Sequence, residues 1–115
     1  MATLTKQAPP TLRVVTIEST EPARLDSTSY EVAVEDRPVE LAWKEFQLLR
    51  FLMLRTGKVF KRADLLRELW PAHRGRNLRL VDVNVRRVRA KLGTASRYIR
   101  TVKNVGYGFV VPRGF

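Results

Sequence analysis

The stretch that decides the fold is Arg79-Leu80-Val81-Asp82-Val83-Asn84-Val85-Arg86-Arg87-Val88-Arg89-Ala90-Lys91-Leu92. Val81, Val85, Val88 and Leu92 recur at spacings of four, three and four residues, which puts them on one helical stripe that has to be buried. The opposite face carries Arg79, Val83, Arg86, Arg87 and Ala90, flanked by Asn84, Arg89 and Lys91. Charge set among short side chains lets a helix backbone approach a surface closely. The major groove of B-DNA admits an α-helix, arginine pairs bidentately with guanine and asparagine with adenine. The stretch is therefore expected to be a DNA recognition helix. A merely solvated basic face is the competing reading, and the surrounding chain decides between them.

The formal net charge is +11, from 22 Lys and Arg against 11 Asp and Glu, and it is unevenly spread. Residues 1–42 carry four basic and seven acidic side chains, whereas residues 43–115 carry eighteen and four. Between His73 and Lys103, ten Lys or Arg accompany a single acid, Asp82. Such a face attracts a polyanion by steering and by counterion release. An anionic membrane would satisfy the charge, but the outer helix face lacks the large apolar residues that insert into lipid. With 115 residues the chain has the size of one domain, and with no cysteine it has no disulfide framework, cysteine-zinc finger or thiol chemistry. No apolar run reaches signal-peptide or membrane-span length, so a soluble, cytoplasmic protein is expected. No nucleophile, base and orienting group converge, and no Gly-rich phosphate cradle is present. Neither an enzyme nor a metal or cofactor site is expected.

Residues 1–11, with Pro9 and Pro10, are expected to be a flexible lead-in. Residues 12–42 are expected to form a small antiparallel sheet: β-branched residues at 12–17, a short strand at 23–26, then 30–34 and 39–41 as a hairpin turning at Glu35-Asp36-Arg37-Pro38. From Trp43 the period becomes helical through residue 92. Phe46, Leu49, Leu52 and Met53 make a stripe widened by Leu48 and Leu54, and Gly57 stops it. Residues 58–60 form a connector, 62–70 a second helix ended by Pro71, and 71–78 a polar loop with Asn77 as N-cap of the third helix. Gly93 ends that helix. Residues 98–102 and 106–111 form a hairpin whose tip suits Asn104, since asparagine enters left-handed backbone easily. Sheet, three helices and a hairpin make an α+β winged helix-turn-helix over residues 12–115, with the hairpin at 98–111 as the wing. Helix-turn-helix geometry places its recognition helix in the major groove.

The chain resembles the OmpR/PhoB-type winged helix-turn-helix effector domain of bacterial response regulators, over about residues 12–112. The matching pieces are Leu41 with Glu45-Phe46 and Leu48-Leu49; Gly57-Lys58-Val59 with Arg62, Leu65-Leu66 and Trp70; Arg79 through Leu92; and Ile99 with Thr101-Val102-Lys103 and Val105-Gly106-Tyr107. The resemblance implies a four-stranded N-terminal sheet, promoter DNA as partner, and tandem protomers on direct repeats. It implies that Arg79, Asn84, Arg86, Arg87 and Arg89 touch bases or phosphates and that Thr101 and Lys103 touch DNA from the wing, with Tyr107 nearby. Residues 71–78 become a candidate RNA polymerase surface, with Trp70, His73, Arg74 and Arg76 as its contacts.

Three positions depart from the family. Ala42 stands where threonine usually caps the first helix, at a cost of about 1 kcal/mol. Asn84 stands in place of histidine and Asn104 in place of glycine. With about eleven residues before the first strand, no receiver domain is expected in the sequence, either because it was excised or because the regulator lacks one.

Smaller readings complete the picture. Asp82 is expected to stabilise the N-terminus of its helix and pair with an arginine. His73 is expected to be solvated, and Trp43 and Trp70 to be core or core-edge aromatics. Tyr107 either contacts the DNA backbone or packs at the base of the wing, and Arg100 lies on the wing's solvent face. Base reading is assigned to two or three of Asn84, Arg86, Arg87 and Arg79. The alternatives are a basic RNA-binding module, which would need exposed stacking aromatics, and an acidic-protein-binding module, whose affinity would fall with salt without depending on base sequence.

Overall fold

A buried apolar sheet face organises the first half of the fold. The computed structural model describes residues 10–16, 30–73 and 76–111. Strands β1 (Leu12–Thr16), β2 (Tyr30–Val34) and β3 (Arg37–Leu41) form an antiparallel sheet in the order β1-β2-β3. Val32 and Val34 on β2 and Leu41 on β3 are buried, and Val39 opposite Val32 is half-buried on the same face. Glu31 pairs directly with Glu40 on the other face, in register with the pleat. The β2–β3 turn is tight, with Glu35 and Asp36 both at positive φ (51° and 63°), the backbone that two-residue hairpins of this twist require. The expected strand at 23–26 lies outside the described residues. The flexible lead-in expected to reach residue 11 is corrected at its end: Pro10 is buried and its carbonyl accepts the Tyr98 hydroxyl, and the Thr11 carbonyl accepts the Glu35 amide at 2.9 Å.

Helices α1 (Trp43–Met53), α2 (Arg62–Leu69) and α3 (Arg79–Leu92) follow. Phe46, Leu48, Leu49 and Leu52 from α1 meet Leu65, Leu66 and Leu69 from α2 and the Val81-Val85-Val88-Leu92 stripe of α3 in one core. The four stripe residues of α3 are 0–2% exposed, so the stripe is as the spacing predicts. Burying one such aliphatic side chain contributes roughly 1.5–3 kcal/mol. Leu54 departs from expectation: it follows the last turn of α1 and is 66% exposed. Trp43 is also on the surface, its ring 4.6 Å from that of Tyr30, while Trp70 is buried.

Two local expectations are corrected. Residues 58–60 are not a plain connector: β4 (Val59–Lys61) pairs antiparallel with β6 (Gly106–Phe109), which also pairs with β5 (Ile99–Val102), so the wing is a three-stranded sheet in the order β4-β6-β5. Asn77 is not the N-cap of α3. It takes left-handed backbone at φ 65°, Leu78 occupies the cap position, and no side chain bonds there; the Leu80 amide reaches the Asn77 carbonyl instead, at 3.1 Å. Gly93 ends α3 at φ 57°, where a side chain would be strained, and Asn104 turns the β5–β6 tip at φ 66°. A 3₁₀ segment, Gly93–Tyr98, leads into β5.

Candidate nucleic-acid interface

With 14 residues, α3 is about 21 Å long. Its inner stripe is locked in the core, so rotation is fixed and the outer residues face solvent by necessity. Arg79, Arg86, Arg87 and Ala90 are exposed and Val83 is half-buried. Among the described residues, Arg79, Arg86 and Arg87 make no hydrogen bond or salt bridge, so their guanidinium groups are available to a ligand. They do not fold onto the acidic sheet.

The other candidates are engaged within the protein. Asn84 is only 8% exposed, and its Nδ2 donates to the Leu80 carbonyl at 2.8 Å. Its amide is thus engaged within the helix, at the edge of the exposed face and not on it. Arg89 is half-buried; its Nη2 donates to the Ile99 carbonyl at 2.9 Å and to Thr101 Oγ1, and its guanidinium carbon lies 5.8 Å from the centre of the Tyr107 ring. Arg89 thus joins α3 to β5. Because Thr101 Oγ1 accepts that bond, the hydroxyl proton is left to donate outward. Thr101, Lys103 and Arg100 are exposed along the wing.

Tyr107 is half-buried and donates its hydroxyl to Asp82 Oδ1 at 2.7 Å. Burial, then the bond to Asp82 and the Asp82 charge, push the phenol above its ordinary pKa against the opposing pull of Arg89 and Arg62, so it stays a donor. Asp82 Oδ2 accepts from Arg62 Nη1 at 2.6 Å, the arginine pairing expected of this acid. The engagement of Arg62 itself was not legible, since it stands 20 residues from Asp82 and at the start of another helix.

The segment after α2 is partly built. Pro71–His73 is a 3₁₀ turn, with the His73 amide on the Trp70 carbonyl at 3.0 Å and the Arg76 amide on the His73 carbonyl at 2.9 Å. Lys44 Nζ donates to the Leu69 carbonyl and lies 5.7 Å from the centre of the Trp70 ring, so a cation from α1 closes the C-terminus of α2. Trp70 is 7% exposed; His73 and Arg76 are exposed, and Arg74 lies outside the described residues. Among the described residues, no helix is long and apolar enough to cross a membrane.

The chain is similar to known proteins in sequence and fold. The model of a family described as "Transcriptional regulatory protein, C terminal" matches residues 36–109. The phosphate regulon transcriptional regulatory protein PhoB of Escherichia coli is 38% identical over 87 residues, which are 74% of this chain and 38% of that protein. Among solved structures, the DNA-binding domain of RstA from Klebsiella pneumoniae, in complex with the RstA box, is similar with a TM-score of 0.63 and 28% identity over 86% of this chain and 98% of that one. The response regulator DrrB of Thermotoga maritima, an OmpR/PhoB homologue, has the same TM-score at 33% identity over 70% of this chain and 38% of that one. The chain spans less than half the length of the curated relatives it matches: 41%, 38% and 46% of HprR, PhoB and SrrA.

Proposed function

Because the chain belongs to the family of C-terminal effector domains of OmpR/PhoB-type transcriptional regulators, we propose that it binds double-stranded promoter DNA sequence-specifically, with α3 in the major groove and the β5–β6 hairpin on the adjacent backbone or minor groove. The observation that carries this reading is the division of α3: four residues sealed in the core, and Arg79, Arg86 and Arg87 exposed on the face opposite. Guanidinium groups held near a helix backbone pair bidentately with guanine O6 and N7. Arg86 and Arg87 sit mid-helix and are the base readers; Arg79, at the N-terminal end, reads a base or grips a phosphate. Lys103 and the free hydroxyl proton of Thr101 anchor the wing to phosphates, beside Arg89, which lends charge while holding β5.

Selection from a random duplex pool, followed by binding measurements on variants, tests this assignment. Arg86→Ala or Arg87→Ala reduces discrimination at one base pair by roughly 1–3 kcal/mol. Lys103→Ala weakens binding to all duplexes alike and flattens the salt slope by about one unit. Equal losses on selected and random duplexes for both kinds of variant refute base reading by these arginines. Structured RNA competing as well as duplex DNA at matched salt refutes the DNA reading itself.

Three further assignments accompany it. In the 71–78 loop the exposed His73 and Arg76 offer a contact for RNA polymerase, and Arg74 of the same stretch adds a charge to it. Protomers bind side by side on tandem repeats. The chain acts in the cytoplasm, where promoter DNA lies in a bacterium, and as a binding module, not an enzyme.

A further inference from the structure

Asp82 is the only acid between His73 and Lys103, in a stretch that otherwise attracts DNA, and 31% of its side chain remains exposed. An acid in that place opposes phosphate approach, so its presence calls for a positive role. Its two oxygens hold two different elements: Oδ1 accepts the Tyr107 hydroxyl from β6 at 2.7 Å, and Oδ2 accepts Arg62 from the start of α2 at 2.6 Å. Seven residues along α3, on the same face, Arg89 holds β5 through Ile99 and Thr101 and lies over the Tyr107 ring.

The root of the hairpin is fixed differently. Ile99 and Phe109 are in the core, and β4 pairs with β6 from Gly108 through Tyr107 to Gly106, where the strand ends and the tip begins. On the helix side, an open polar cleft with Arg62, Asp82, Asn104 and Tyr107 among its walls separates the tip of the wing from the helices. Val102 is half-buried and Val105 exposed, so little apolar packing holds the tip. Across this cleft the Tyr107 hydroxyl reaches Asp82.

We propose that Asp82 is a positioning residue for DNA recognition: through Tyr107 and Arg62 it fixes the wing relative to α3, so that the arginines of α3 and Lys103 of the wing meet one duplex in a set register. The proposal rests on the DNA-binding reading above. It makes Tyr107 a strut and not a DNA ligand, and it has opposite consequences from simple electrostatics. Removing the Asp82 charge raises the net positive charge of the surface, which by charge alone tightens binding to every duplex. Loss of register weakens binding to the selected duplex instead.

The experiment uses the full chain and the duplex enriched by selection. Asp82→Ala and Tyr107→Phe are each compared with the unmodified chain; Tyr107→Phe keeps the ring and the charge balance and removes only the hydroxyl, so it serves if Asp82→Ala fails to fold. A single hydrogen bond changes an equilibrium by roughly 3- to 10-fold, and a loss of that size on the selected duplex is expected for both. In parallel, the absence of cysteine allows spin labels at Ala90→Cys and Lys103→Cys alone, and the distance distribution between them in the free chain broadens in both variants. Unchanged or tighter binding to the selected duplex in Tyr107→Phe overturns the proposal, as does an unchanged distance distribution. Failure of the underlying reading shows elsewhere, as an Arg86→Ala chain that keeps full discrimination while the label distances still respond to Tyr107→Phe.

Discussion

Glu45, in the first turn of α1, is 3% exposed, and its Oε1 lies 2.6 Å from Lys91 Nζ in the last turn of α3. The same oxygen accepts the Ala42 amide at 2.9 Å. Burial pushes the carboxyl pKa up, but the Lys91 bond, the Ala42 amide and the charges of Lys91 and Arg87 outweigh it and leave it below the ordinary 4.5. A folded pKa below the unfolded one means that ionised Glu45 stabilises the fold above pH 4.5 and that this contribution disappears as pH falls through the folded value. Glu45→Gln therefore lowers the melting temperature at neutral pH, and the gap to the unmodified chain closes on acidification. Melting curves between neutral and strongly acid pH check it; a gap that stays constant rules out the charge as its source.

Asn84→Ala is expected to leave base preference untouched. The amide is turned to the Leu80 carbonyl and buried, so its loss removes an intrahelical bond and little else. Such a bond contributes about 0.5–1.5 kcal/mol. Repeating the duplex selection with the variant gives the same motif as the unmodified chain. A motif altered at one base pair would place Asn84 back among the readers.

The contrast between Asn84 and its neighbours shows what periodicity can and cannot decide. Val81, Val85, Val88 and Leu92 specify the buried stripe because four large apolar residues at helical spacing have one solution. Asn84 stands three residues after Val81 and four before Val88, so the spacing already put it at the edge of that stripe; its polarity argued outward, and the bond to Leu80 is what lets it turn in. The clasp of Arg62 and Tyr107 on Asp82 joins residues 20 and 25 apart, beyond any local pattern. β4 escaped for a related reason: three residues with no alternation become a strand only because β6 lies beside them.

Ala42→Ser is expected to stabilise the fold. Ala42 already has the extended backbone of a cap (φ −69°, ψ 157°), and Glu45 already supplies its half of the reciprocal box by accepting the Ala42 amide. The missing half is a side-chain oxygen for the amide of the third helical residue. Restoring it contributes typically about 1 kcal/mol, read as a rise of several degrees in melting temperature. No rise, with DNA binding intact, would mean that water already satisfies that amide as well as a hydroxyl does.

Gly106→Ala is expected to detach β4. A Cβ at this position would lie 1.8 Å from the Phe60 carbonyl oxygen and 3.0 Å from the Lys61 Cα, contacts that side-chain movement cannot relieve because both belong to backbone. Gly108 faces the same strand more loosely, with its Cβ 2.5 Å from the Lys58 carbonyl oxygen. Overpacking of this kind costs about 1–3 kcal/mol or more, and here the structure has a cheap way to yield, since β4 is three residues long and on the sheet's edge. The helices and the β5–β6 pairing persist, while amide exchange accelerates at Val59, Phe60 and Lys61 and the melting temperature falls. Gly108→Ala follows in the same direction with a smaller effect. Since Tyr107 lies between the two glycines and opposite Phe60, parting β4 from β6 also loosens its reach to Asp82, and binding to the selected duplex weakens with it. Native exchange rates across residues 59–61 in Gly106→Ala would show that the close approach of the two strands is not what requires glycine there.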